Sequence, residues 1–433
     1  MSRTLPLLGD TIPLLRDPIG FLSSLPARGR LVWIRLGPVP VAVVCDPELT
    51  RRVLKDDGTF DKGGPFFDRL RDLFGDGLGT CPHAEHRRLR RLVQPAFRPG
   101  QLRRYEEVMR EEARRMAESW CDGQVLDVTG ETMAYTGRIA LRTLFSTSLT
   151  EELLDGAITD LDDFVAGVPR RMLMPDAVAR LPLPGNRRYR RTISRLRATI
   201  DDIIAERRRR PITADEPDLL ASMIIANDSG SDRLTDTELT DQATTFLATG
   251  TETSSTTLAW ALYLLARHPH IQKQLHVEAR TAVHTGATSP GEDDSELFRH
   301  IIDETLRLYP PPWLLTRRVT TDTVLDGHRL PAGTIVAYSA YLTQRNSAYY
   351  PDPDAFDPGR WHGIEPRPGT YLPFGDGPRG CIGGRFAARE LVAALEAVTA
   401  RWHIAPLTDR PQRPRIGTTV SPHGLRLRVT ALA

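Results

Sequence analysis

Residues 374–384 read Phe-Gly-Asp-Gly-Pro-Arg-Gly-Cys-Ile-Gly-Gly and run into Arg385 to Arg401, where Leu391, Ala394, Leu395 and Val398 keep the i, i+3, i+4, i+7 spacing of a helix face. So many glycines ahead of a helix leave bare backbone that takes up positive φ and lets a flat group approach closely. Cys381, at this junction, lies beside N–H groups and the positive end of a helix, both of which favour thiolate over thiol and suit a metal ligand. Arg379, two residues earlier, suits an acidic substituent on the group held there. Gly375, Gly377 and Gly380 also match the spacing of a dinucleotide fingerprint, but no βαβ unit surrounds them and Pro378 falls in the turn.

The other three cysteines, Cys45, Cys81 and Cys121, form no CxxC pair and no disulfide framework in a chain of 433 residues, and are expected to be small buried hydrophobes. Lys plus Arg total 57 against 55 acidic residues, so no basic excess advertises nucleic acid. The longest apolar run, Leu258 to Ala266, falls short of the roughly 20 residues that span a bilayer. Asp10, Pro13, Arg16, Asp17 and Pro18 interrupt the greasy N-terminus, so a cytoplasmic location is expected.

Arg30 to Asp46 reads as a β-hairpin turning at Gly37-Pro38, and extended segments return at Thr316 to Ser339 and Gly417 to Val429. Between residues 85 and 285 helical spacing dominates, with Gln101 to Trp120 and Arg187 to Arg210 as charged helices. Pro211 to Pro217 and Asn227 to Asp232 read as loops between helices. With no repeat and no linker, a single domain over 1–433 is expected, mainly α with small peripheral β-sheets.

Three further patterns bear on function. Asp241 to Leu265 reads as a long helix, yet it carries Ala-Thr-Gly-Thr-Glu-Thr-Ser at 248–254, residues that weaken a helix interior. The Thr253 hydroxyl can bond the Thr249 carbonyl four residues back and open the helix beside Gly250. Glu304 and Arg307 stand three apart, close enough to interact on one helix. His86-Arg-Arg-Leu-Arg-Arg91 is by itself either a basic face or solvated charge. The clusters Arg187 to Arg191 and Arg207 to Arg210 read as solvated helix ends.

The cysteine loop resembles, at every defined position, the Phe-x-x-Gly-x-Arg-x-Cys-x-Gly signature of the cytochrome P-450 monooxygenases. That resemblance implies the cytochrome P-450 fold, heme b (iron protoporphyrin IX) and Cys381 as the axial thiolate on iron. Phe374, Arg379 and Gly383 would then be cofactor-binding, with His86, Arg90 and Arg317 as propionate partners; Arg318, next to Arg317, is a rival for that role. Arg87, Arg88 and Arg91 would face solvent or an acidic redox partner. Gly250, Glu252 and Thr253 match the family's oxygen-activating helix, with Glu252 and Thr253 as the proton-delivery pair. Thr249 stands where Ala or Gly is more usual. Phe356-Asp-Pro-Gly-Arg-Trp361 resembles the segment whose arginine, here Arg360, joins Glu304 and Arg307 in a buried structural network.

By the same resemblance the chain inserts one atom of O2 into an apolar small molecule. With no flavin or iron–sulfur module appended, NAD(P)H electrons would arrive through a ferredoxin and a ferredoxin reductase docking on the cysteine face. Candidate substrate-pocket residues are Phe66, Phe67, Leu73, Phe74, Phe246, Leu247, Thr249, Trp313, Leu314, Leu315 and Thr418 to Val420, Thr419 among them. The opening LPLLGDTIPLLRDP, Pro312 to Arg318 and Ser421 to Leu425 are similar to bacterial terpene hydroxylases, which points to a terpenoid of secondary metabolism. Fatty-acid or polyketide hydroxylation is the alternative. A heme-binding sensor or carrier without turnover is a reading from another class.

Overall fold

The structure, a computed structural model, describes residues 9–145, 150–172, 174, 176–209, 218–228, 234–284, 296–363 and 365–432. Its centre is the long helix Asp236–Arg267. Thr235 and Glu238 start it with a reciprocal capping box. From Thr251 to Ala266 almost every residue is buried, because helices pack on all sides of this element. Val128–Phe145, Pro184–Arg209, Glu296–Leu308 and Gly384–Thr399 all contact it. Trp260, fully buried on its far half, stacks on Tyr309 with centroids 3.7 Å apart.

The strands lie at the periphery, as the sequence indicates. The expected hairpin is Leu31–Leu36 with Val39–Val44, pairing Trp33 with Ala42 across the Gly37-Pro38 turn. Val39–Val44 then runs parallel to Ile335–Tyr338, which pairs with Leu315–Val319, and Phe60–Asp61 completes the sheet. Val125–Asp127 and Trp402–Pro406 flank Arg426–Ala431 in a second sheet. A short pair, Arg415–Ile416 with Val420–Ser421, brings a turn at 417–419 against the long helix.

Several expectations need correcting. Only Cys81 of the three spare cysteines is buried; Cys45 is half-buried and Cys121 is exposed, because it sits in the turn after the helix Pro99–Glu118. Arg207 is no solvated helix end: it is 2% exposed, and its Nε donates to Asp218 Oδ2 at 2.9 Å. Arg187, Arg188, Arg190 and Arg191 do face solvent. Asn227 and Asp228 finish the helix Leu219–Asp228, whereas Pro211 to Pro217, Arg210 and residues 229–232 lie outside the described residues.

Candidate functional site

The cysteine loop is held by its own backbone and by the chain beneath it. Gly375 and Gly377 adopt φ of +71° and +69°, and a Cβ on Gly377 would stand 2.4 Å from the Leu54 carbonyl oxygen, so glycine is required there. Cys381 N–H donates to the Phe374 carbonyl at 2.8 Å, closing the loop just before the helix Gly384–Thr399. The Phe374 ring lies 3.3 Å from where a Gly384 Cβ would be, and Gly383 approaches Cys381 Sγ.

The Cys381 side chain is accessible yet deep within the fold, and burial pushes its thiol pKa up. The N–H groups of Gly383 and Gly384, with Lys62 and Arg90, pull it down without reversing that direction. The expected thiolate-favouring donors are therefore present but outweighed by desolvation. A bound metal cation is what ionises such a thiol.

Around this loop the chain gathers cations. The helix His83–Val93 supplies His86, 4% exposed, and Arg90, whose Nη1 donates to the Gly380 carbonyl at 2.8 Å. Burial, then Arg379, Lys62 and Arg90, push the His86 pKa down to about 3, so its imidazole is neutral. Arg379 is bracketed: Nε donates to Asp57 Oδ2 at 3.0 Å, Nη2 to Asp61 Oδ1 at 2.7 Å and Nη1 to the Cys81 carbonyl at 2.9 Å. The charge expected to meet an acidic substituent is thus already matched by two carboxylates. Arg88 is not a solvent-facing spare; it bridges Glu85 and Glu238 and so ties its helix to the long one. Arg87 and Arg91 are exposed.

Burial separates Arg317 from Arg318. Arg318 is exposed and pairs with Asp68 at 3.2 Å. Arg317 is 3% exposed, and its Nε and Nη1 are buried without a hydrogen-bond partner. Beside it stands Lys62, a residue sequence reasoning missed. Its Nζ donates to the Gly79 carbonyl at 2.7 Å, and burial, with Arg317 and Arg379, pushes its pKa down to about 7. Among the described residues neither has a carboxylate partner. A buried guanidinium with two unpartnered nitrogens next to a desolvated ammonium suits the binding of an anion.

On the long helix, Thr253 Oγ1 donates to the Thr249 carbonyl at 2.6 Å, as expected. The helix nonetheless runs unbroken past Gly250. Thr249 spends its own hydroxyl on the Thr245 carbonyl at 2.7 Å, and Thr257 bonds back to Thr253 at 2.9 Å. Glu252 Oε1 accepts from Thr418 Oγ1 and Thr419 Oγ1, both at 2.9 Å. Burial pushes this carboxyl's pKa up, the two hydroxyls pull it down and Asp162 pushes it up, leaving it raised.

The expected structural network is assembled in full. Glu304 accepts from Arg307 Nε and Nη2 at 2.8 Å each, from Arg360 Nε at 3.1 Å, from Trp361 Nε1 at 3.0 Å and from the Asp357 N–H at 3.0 Å. Arg307 spends its remaining donors on the carbonyls of Gln344, Pro353 and Ala355.

The candidate pocket residues divide. Phe67, Leu73, Phe74, Leu247, Trp313 and Val420 are buried, all but Phe67 within hydrophobic clusters, with Trp313 Nε1 donating to the Gly417 carbonyl at 3.1 Å. Phe66, Phe246, Leu314, Leu315 and Thr418 stay half-buried and Thr249 is exposed. Phe246 packs on Phe97 with centroids 5.3 Å apart. Thr419, buried, turns its hydroxyl to Glu252.

A family model described as Cytochrome P450 matches residues 5–426. The chain belongs to the cytochrome P450 family. It is 42% identical to "Pentalenene oxygenase" of Streptomyces avermitilis over 98% of this chain and 96% of that protein. It is 40% identical to "Cyclooctat-9-en-7-ol 5-monooxygenase" of Streptomyces melanosporofaciens over 93% of this chain and 89% of the relative. Among solved structures, the heme domain of cytochrome P450DA superposes with TM-score 0.87 at 26% identity, covering 99% of this chain and 97% of that one.

This P450 is therefore a monooxygenase that uses heme, O2 and NAD(P)H-derived electrons delivered by redox partners, and acts on apolar substrates. The residues present fit heme. A lone accessible thiol beneath a glycine loop offers the iron ligand, and the unpartnered Arg317 nitrogens with Lys62 offer cations for carboxylate side groups. Among the described residues no helix is long and apolar enough to cross a membrane.

Proposed function

We propose that this P450 hydroxylates a terpenoid in secondary metabolism, drawing electrons from a ferredoxin and its reductase in the cytoplasm. The observation that supports the substrate class most is the near full-length likeness to two Streptomyces oxygenases named for pentalenene and cyclooctat-9-en-7-ol. The half-buried apolar residues Phe66, Phe246, Leu314 and Leu315 suit such a substrate.

Bound heme supplies the chemistry that takes up two electrons, two protons and O2, placing one oxygen atom in the substrate and the other in water. In this reading the chain's own groups hold and serve that cofactor. Cys381 is its thiolate ligand; Phe374 and Gly383 shape the bed beside it. Arg317, Lys62, His86 and Arg90 surround its anionic edge, and Arg379 braces the loop through Asp57 and Asp61. His86 would donate a ring N–H there. Glu252 and Thr253 hold and pass protons beside Gly250. Glu304, Arg307 and Arg360 keep the segment ahead of the loop in place.

The test is spectral. The reduced, carbon monoxide-bound protein is expected to show the strongly red-shifted Soret band of thiolate ligation, and Cys381→Ala to lose it. Pentalenene is expected to displace the ferric spin equilibrium more strongly than a medium-chain fatty acid. The reverse order favours the fatty-acid alternative, and a protein that holds heme but consumes no NAD(P)H with any substrate favours the sensor reading.

A further inference from the structure

Glu252 does not stand alone on the long helix. The turn between Arg415–Ile416 and Val420–Ser421 folds tightly, with Gly417 N–H donating to the Thr419 carbonyl at 3.0 Å, and this brings two consecutive threonine hydroxyls onto one oxygen. Successive side chains on an extended strand point to opposite faces, so convergence of both on Oε1 needs the turn. The turn is itself pinned. Trp260 Nε1, two helical turns beyond Glu252, donates to the Val420 carbonyl at 2.7 Å, and Trp313 Nε1 donates to the Gly417 carbonyl at 3.1 Å. Val420 N–H donates to the Pro311 carbonyl at 3.3 Å.

We infer that Thr418 and Thr419 are positioning residues for Glu252, clamping Oε1 so that the turn at 417–419, itself anchored to Trp313, sets the orientation of the proton-delivering carboxylate. This rests on the proposed proton-delivery role of Glu252. Oε2 takes no hydrogen bond from the described residues, so the clamp holds one oxygen and leaves the other to exchange protons. Both hydroxyls donate, and donors to a carboxylate favour its ionised form. They work against burial and against the negative charge of Asp162, an exposed residue of the helix Glu151–Met172. Thr419, a candidate for touching substrate, thereby becomes a link between the strand pair and the long helix.

The test uses the ferric holoenzyme and reads Glu252 directly. Infrared difference spectra across pH report the protonated-carboxyl stretch, assigned by its loss in Glu252→Gln. In Thr418→Val/Thr419→Val the titration is expected to move to higher pH by about one unit or more, since each lost hydroxyl donated to a charged group. Thr418→Ser/Thr419→Ser keeps both donors and is expected to titrate like the parent, which separates the hydroxyls from the packing of the turn. An unmoved titration in the valine pair overturns the clamp. The underlying reading has its own control, with pentalenene as probe substrate and a ferredoxin pair as reductant. There, a Glu252→Gln enzyme that loses no larger share of electrons to hydrogen peroxide removes Glu252 from proton delivery, whatever the threonines do.

Discussion

Arg379 Nε meets Asp57 Oδ2 at 3.0 Å across 322 residues of sequence, and this contact ties the cysteine loop to the start of the chain. The guanidinium is buried and shared with Asp61 and the Cys81 carbonyl. Truncating it takes the guanidinium from two largely buried carboxylates, leaving Asp57 only the His83 imidazole at 3.1 Å. Arg379→Ala is therefore expected to lower stability by about 3–5 kcal/mol, read from chemical denaturation. Asp57→Asn, which leaves Asp61 in place, is expected to cost less than the arginine change.

The neighbouring arginines at 317 and 318 make opposite predictions. Arg317 is buried with two nitrogens unpartnered, whereas Arg318 sits in solvent beside Asp68. Arg317→Ala is expected to speed heme transfer to a scavenger globin by about tenfold or more, the loss of a hydrogen bond between charged groups. Arg318→Ala is expected to stay within about twofold of the parent, as an exposed pair contributes little.

His86 predicts a pH dependence of known sign. Burial and the surrounding cations push its pKa down to about 3, against about 6.5 for an unfolded histidine. Between those values the unfolded chain binds a proton that the folded chain refuses. The contribution of His86 to stability is thus complete above pH about 6.5 and is lost as pH falls toward 3. In the heme-free protein the denaturation midpoint of His86→Phe is expected to depend on pH less steeply over that window than that of the parent, by up to one proton.

Trp361 makes a narrower prediction. Its Nε1 is one of five donors to Glu304, and the residue is buried. Trp361→Phe keeps most of the volume and removes that donor, with an expected cost of about 1–3 kcal/mol by thermal unfolding. Glu304→Gln, which leaves Arg307 and Arg360 without their anion, is expected to cost about 3–5 kcal/mol.

What was legible in the sequence is what local spacing encodes. The Thr253 bond to Thr249, the Glu304–Arg307 pair and the cysteine at the head of its helix all join residues within one or two turns, so period and composition reveal them. The hairpin was legible because Gly37-Pro38 separates two β-branched runs. The remainder depends on partners far along the chain. Nothing near Arg88 names Glu238, nothing near Arg207 requires that Asp218 bury it, and Asp57 and Asp61 carry no motif that assigns them to Arg379. Lys62 was missed for the same reason; its only local signal is a lysine between the short strand Phe60–Asp61 and Gly63-Gly64. The N–H donors beside Cys381 are legible because backbone donors can be counted from a sequence, whereas the depth at which the sulfur lies cannot.

The sheet that holds the hairpin has a consequence for synthesis. Val41–Val44 takes its parallel partner from Ile335–Tyr338, and Val125–Asp127 waits for Arg426–Ala431. On a ribosome adding about 5–20 residues per second, the first of these partners emerges roughly 15–60 s after the strand it completes. For that interval the nascent hairpin presents an unpaired apolar edge, and helices made in between can collapse but cannot be sealed. This P450 is a protein whose last hundred residues close what its first fifty begin, so a chain halted before Ile335 is a natural client for chaperones and proteases.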